Sequence, residues 1–175
     1  MFLACQTESH LESVEKTDFD LELKNGVLHY KNNPFNGFLV SYYPNRCLKS
    51  KVPYAKGRKE GIEKHWFENG LLALERPYSK GLKKGIHRAW WIDGILKFEY
   101  HFDDKGAYHG LVREWYASGQ LFREFNYENG VEKGNQRLWK LNGNIKANYS
   151  VYQGDRFGLI GLKKCETVRE STNKT

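Results

Sequence analysis

The chain has 175 residues, enough for one domain, with 39% hydrophobic and 15% aromatic residues, 17 Gly and a single Met. It shows no useful helix-period apolar stripe and no apolar run approaching a membrane-spanning helix, which argues against a helical bundle and for a turn-rich fold. The net charge of +7, from 28 basic and 21 acidic residues, favours anionic partners, although interspersed signs suit a solvated mixed surface as well.

In chain order, the first feature is "MFLAC", where a small residue, Ala4, precedes Cys5 as at the end of a bacterial lipoprotein signal. The charged and apolar parts that come before such an end are not in the sequence. Cys5 is therefore a lipidation candidate, with an ordinary free Cys as the alternative. Residues 1–18 read as a polar tether, 19–160 as the folded domain and 161–175 as a C-terminal tail. Cys5, Cys47 and Cys165 are widely spaced and odd in number, which fits neither a metal site nor a closed disulfide framework.

A partial unit, "LKNGVLHYKNNPFNG", opens the domain, and five full units follow, starting at Gly37, Gly61, Gly85, Gly110 and Gly134. The period is 24 residues, once 25. Five residues into each unit stands a large aromatic: Tyr42, Trp66, Trp90, Trp115 and Trp139. Next comes a turn: Asn45-Arg46, Asn69-Gly70, Asp93-Gly94, Ser118-Gly119 or Asn142-Gly143. An aliphatic residue follows (Leu48, Leu72, Leu96, Leu121, Ile145), and then a second Gly. Recurrence at several positions predicts tandem β-hairpins, and hence an all-β fold, an elongated twisted antiparallel meander of about a dozen strands. Arg46 departs from the turn pattern and predicts a looser first hairpin. The extra residue of the third unit falls in Asp103-Asp104-Lys105, a surface turn or bulge.

Two registers are open within each hairpin. A two-residue loop opposes Lys64 to Glu75, Arg88 to Glu99 and Arg113 to Glu124. A three-residue loop with a Gly bulge opposes each Trp to the aliphatic residue and gathers Trp90, Leu96, Phe98, Tyr100 and Phe102 on one face. Exposed ion pairs contribute roughly 0–1 kcal/mol and a buried large apolar side chain about 1.5–3 kcal/mol, so the second register is expected, with the Trp column as the repeat core.

Units such as "GIEKHWFENGLLALERPYSKGLKK" and "GLVREWYASGQLFREFNYENGVEK" resemble the MORN-repeat variant of bacterial YwqK-type, antitoxin-like proteins, over roughly residues 20–160. The resemblance implies a β-hairpin array that acts as a protein-interaction scaffold, with a proposed membrane role; the antitoxin label implies binding and neutralising a partner. Arg46, Val151 and Asn148 depart from the repeat. The partner-binding candidates are Lys64, Arg88, Arg113 and Arg137, which recur at one repeat position as a ladder of cations. Lys80, Lys83 and Lys84 lie in turns and are candidates for contact with an anionic membrane surface.

The six histidines show no ligand spacing, and there is neither a phosphate-binding Gly loop before a helix nor a nucleophile elbow. A small metal or acid–base site around His101, Asp103, Asp104 and His109 is the weakest alternative. No cofactor, metal or catalytic activity is expected, and nucleic acid is not the expected partner. The expectation is a scaffold for a protein partner, with an envelope lipoprotein on an anionic membrane as the alternative. The cell envelope, or else the cytoplasm, would be its place.

Overall fold

The computed structural model describes residues 12–161; the lipidation candidate Cys5 and residues 162–175 of the expected tail lie outside the described residues. Seventeen strands and no helix form among the described residues, in one fourteen-stranded sheet and one of three strands. The large sheet runs through the repeats in chain order. Its first two hairpins pair Gly37–Tyr42 with Leu48–Ala55 and Gly61–Trp66 with Leu72–Ser79. The third pairs Gly85–Trp90 with Leu96–Phe102, the fourth Tyr108–Trp115 with Leu121–Glu128 and the fifth Val131–Trp139 with Ile145–Tyr152. Asp155–Leu159 forms the last strand at one edge. The partial unit forms the small sheet of Leu21–Lys24, Val27–Tyr30 and Asn33–Pro34.

At the other edge, Ser13–Glu15 pairs with Phe38–Val40 in parallel, within the segment read as a tether. Phe38 N donates to Glu12 O, Lys16 N donates to Val40 O, and Val14 is only 3% exposed. The sheet is therefore mixed at this edge and antiparallel elsewhere.

Each hairpin closes through the same short turn. In the second, Phe67 N donates to Leu71 O at 2.8 Å and Gly70 N to Phe67 O at 2.9 Å, while the Asn69 side chain accepts from Leu71 N. Gly70 has φ 82, the left-handed conformation that this three-residue loop requires. Arg46 takes the same role with φ 68. Its N still donates to Tyr43 O at 2.9 Å, and Tyr43 N to Cys47 O at 2.9 Å. The first hairpin is thus not looser, because Arg46 accepts backbone strain instead of breaking the turn. The third unit's extra residue sits in the loop closed by Asp103 N to Ala107 O.

The two registers turn out to be parts of one. Lys64 opposes Glu75 while Trp66 opposes Leu72, and the same holds for Arg88–Glu99 with Trp90–Leu96 and for Arg113–Glu124 with Trp115–Leu121. One extra residue in each returning strand (Lys49, Ala73, Lys97, Phe122 or Lys146) forms a bulge that reconciles them. The bulge reverses which side of the sheet the following residues meet. Phe98 and Tyr100 oppose Ala89 and His87, whose side is opposite to that of Trp90 and Leu96. The expected grouping of Trp90 with Phe98, Tyr100 and Phe102 is therefore corrected.

The core moves with it. Tyr42, Trp66, Trp90, Trp115 and Trp139 do occupy one row, but the four Trp are half-buried and Tyr42 is exposed. The cluster of buried residues, Val112, Phe125, Ala147, Tyr149 and Val151, lies on the opposite face, with Tyr100, Tyr108 and Tyr127 packed against it. A single-layer sheet buries only what lateral neighbours cover, and on this face close-set Tyr and Phe rings provide that cover. The two sides are called here the Trp face and the Tyr face.

The repeats are also tied by polar tips of aromatics that follow the Trp position. Tyr43 OH donates to Trp66 O, Trp91 Nε1 to Trp115 O and Tyr116 OH to Trp139 O, at 2.9, 3.2 and 3.1 Å. Replacing Arg46 with Gly should relieve the left-handed strain and raise unfolding stability by about 1 kcal/mol, measured by urea denaturation. An unchanged or lower stability would contradict the strain assigned to this turn.

Candidate binding surface

On the Trp face, one row of side chains crosses the sheet directly opposed from strand to strand: Lys51, Lys64, Glu75, Arg88, Glu99, Arg113, Glu124, Arg137 and Asn148. The four predicted ladder cations are therefore brought together, but alternate with carboxylates. Arg88 Nε donates to Glu99 Oε2 and Arg113 Nε to Glu124 Oε2, both at 2.8 Å, and Lys64 lies 3.2 Å from Glu75. Burial works to raise the Glu99 carboxyl, but the bonds from Arg88 and His101 outweigh it and hold it below its ordinary value.

Arg137 differs. Its opposed residue in the same hairpin is Asn148, and its carboxylate contact is Glu124 of the preceding hairpin, 3.8 Å away. Its side chain is 43% exposed. Beyond it, Leu159 opposes Asn148, Phe157 opposes Ser150 and Ile145 opposes Trp139. All three apolar side chains are exposed, and seven of the fourteen exposed large hydrophobics among the described residues fall between Val131 and Ile160. This end of the sheet joins an incompletely neutralised guanidinium to an apolar patch.

Of the turn lysines, Lys84 pairs with Asp104 at 3.2 Å and Lys83 Nζ stands over the Phe102 ring at 5.0 Å. Lys80, at φ 50, shapes its two-residue turn, and its N donates to Glu60 Oε2. His101 contacts Glu99, Asp103 Oδ1 caps its loop through Lys105 N and Ala107 N, and Asp104 serves Lys84. Among the described residues, no group of three His, Cys, Asp or Glu could hold a metal ion.

On the Tyr face, a groove of about 380 Å3 opens between the third and fourth hairpins, walled by Trp91, Phe98, Tyr100, Tyr116 and Phe122, with Lys97 and Glu114 among its lining residues. Sequence reading missed it because the bulge, which carries Lys97 and Phe122 toward Trp91 and Tyr116, leaves no mark in hydrophobic periodicity. Lys97 Nζ lies 4.3 Å from the Trp91 ring centre, and the Tyr116 and Phe122 centroids are 5.2 Å apart.

Also unforeseen are buried polar residues two positions into the units. Gln136, fully buried, donates to Asn126 O and accepts from Asn126 N; His87 Nε2–H donates to Pro77 O at 2.8 Å. They satisfy backbone groups that the joins between hairpins leave unpaired. Burial favours neutral His87 and lowers its pKa. In the second unit the residue is Glu63, which accepts from His65 Nε2 at 2.8 Å and Lys59 Nζ at 2.7 Å. Burial works to raise its pKa, but these bonds and charges outweigh it and lower the value to about 2.

No family model matches the chain, and no curated protein sequence matches it. Among solved structures, a TarM mutant from S. aureus, in complex with fondaparinux, alpha-GlcNAc-glycerol and UDP, aligns with a TM-score of 0.33 and 13% identity. The alignment covers 66% of this chain and 21% of that protein, a likeness that carries no functional argument.

His87 and Glu63 both have depressed folded-state pKa values, so each contributes stability above its unfolded value and loses it as pH falls. Thermal stability should drop first below the ordinary His value of 6.5, and this step should vanish in His87→Gln. A second loss should run from 4.5 toward about 2 and be reduced in Glu63→Gln. Melting curves between pH 3 and 8 test both, and an unaltered first step in His87→Gln would remove His87 as its origin.

Proposed function

We propose that this protein is a non-catalytic repeat scaffold that holds a protein partner at the last hairpin and edge strand of its Trp face. The carrying observation is Arg137: its neighbours in the charged row are matched by carboxylates, whereas its own hairpin presents Asn148, beside exposed Ile145, Phe157 and Leu159. A guanidinium among apolar side chains suits a segment that brings a carboxylate and one or two apolar anchors. The outer backbone edge of Asp155–Leu159 has no strand partner among the described residues, so an extended segment can also bond to it.

Residues 131–161 support the choice of an acidic partner. They carry Lys133, Arg137, Lys140, Lys146 and Arg156 against Glu132 and Asp155, a surplus of three positive charges (five less two). The resemblance to MORN-variant, antitoxin-like proteins points to the same kind of activity, namely binding and holding another protein. Compared with the expected stripe, the partner site is displaced from Lys64, Arg88 and Arg113, whose charges are occupied, to Arg137.

The test is photo-crosslinking from a benzophenone amino acid at position 157 in cells that express the protein naturally. The expected result is a discrete crosslinked protein whose crosslinked peptide is acidic and apolar. Arg137→Glu should reduce its yield by at least about tenfold, as for a charged contact at an interface centre, and Arg88→Gln should leave it within about twofold. No discrete product, or equal yield with Arg137→Glu, would overturn the proposal.

A further inference from the structure

The Tyr-face groove departs from the repeat in a way that folding does not require. Glu114 and Arg123 are directly opposed across the fourth hairpin, half-buried, with Arg123 Nη2 bonded to Glu114 Oε1 at 2.5 Å. The equivalent pairs in the other units are Ser41–Ser50, His65–Leu74, Ala89–Phe98 and Leu138–Ala147. Four units thus close the same position without an ion pair. A pair withdrawn from water is rarely the more stable choice than well-packed uncharged residues. Arg123 Nε is also buried without a hydrogen-bond partner among the described residues, a defect that stability alone would not retain.

The rings around this pair are held as apolar planes. Trp91 Nε1 is bonded to Trp115 O, Tyr116 OH to Trp139 O and Tyr100 OH to Glu114 Oε1. Their polar tips are thereby turned into the protein. Two hydrogen-bonding groups remain for a ligand. Among the described residues, both side-chain bonds to Glu114 fall on Oε1, which leaves Oε2 open as an acceptor. Lys97 Nζ sits over the Trp91 ring with no carboxylate within 4.0 Å among the described residues, which leaves three donors. Glu114 is already paired with Arg123, so Lys97 is the lining charge left without a carboxylate partner among the described residues.

We propose that this groove binds the ring of a neutral carbohydrate, a hexopyranose within a glycan. Such a ring brings C–H groups on a flat face, which suit the negative faces of aromatic rings. Its hydroxyls both donate and accept, as Glu114 Oε2 and Lys97 require. A phosphate or acidic peptide would meet the Glu114 carboxylate, and a quaternary ammonium would meet Lys97. The groove volume of about 380 Å3 lies within the usual range for small-ligand sites, roughly 300–1,000 Å3. The site is on the opposite face from Arg137 and is independent of the protein partner proposed above.

The test uses the purified full chain, titrated with neutral oligosaccharides of glucose, galactose, mannose and N-acetylglucosamine. Tryptophan fluorescence and the indole N–H resonance of Trp91 report binding. The expected result is saturable binding of at least one neutral oligosaccharide, with a shift at the Trp91 indole. Glu114→Gln and Lys97→Met should each weaken it by roughly tenfold, the loss of one charge-assisted hydrogen bond, with thermal melts showing both variants folded. Absence of binding to every neutral oligosaccharide would overturn the proposal, as would equal affinity in both variants. A shift at the Trp91 indole caused only by acidic peptides would overturn the proposal and assign the groove to a protein instead. Crosslinking at position 157 reads a separate surface, so failure of either proposal is seen without the other.

Discussion

The single extra residue in each returning strand is the constraint on which this structure depends. Without the bulge at Lys49, Ala73, Lys97, Phe122 and Lys146, a hairpin must choose between opposing its charges and opposing Trp to Leu. With it, ion pair and apolar pair stand side by side on the Trp face. The following positions turn to the Tyr face and build the core there. The bulge residue itself packs toward the aromatic just before the turn, as Lys49 on Tyr43, Lys97 on Trp91 and Phe122 on Tyr116.

Repetition of this unit yields rows, and rows separate support from recognition. The charged row satisfies itself almost throughout, so its value is in matching neighbouring strands rather than in displaying cations. Each such half-exposed pair contributes at most about 1 kcal/mol, but together they disfavour a slip of register, which would separate them. Among the described residues of this row, Lys51 and Lys64 are the one directly opposed like pair, and there Lys51 Nζ turns over the Phe38 ring at 3.9 Å. Function is then to be sought where a row is interrupted, at Arg137 with Asn148 and at Glu114 with Arg123.

Much of the fold was legible because hairpin turns declare themselves locally. Asn69-Gly70 and its counterparts encode a loop through left-handed backbone and an Asx side-chain bond, with no long-range help. Arg46 shows the limit of that signal: the hairpin around it holds φ 68 on a residue that would not choose it. The parallel strand Ser13–Glu15 carries no such marker, since its pairing depends on a sheet edge that exists only after Phe38–Val40 has folded.

The sequence by itself determined the period, the hairpins and the row of Trp residues, all of which follow from spacing within one repeat, and offered the cation–carboxylate partners only as the register it did not favour. Only the tertiary structure decided which face holds the core, that Arg88 and Arg113 are neutralised within their own hairpins while Arg137 has only a long contact to Glu124, and that Trp91, Tyr116 and Glu114 border one groove. The physical reason is that a one-residue bulge inverts the side on which every later side chain emerges, and pairing between hairpins joins residues that no spacing within a unit connects.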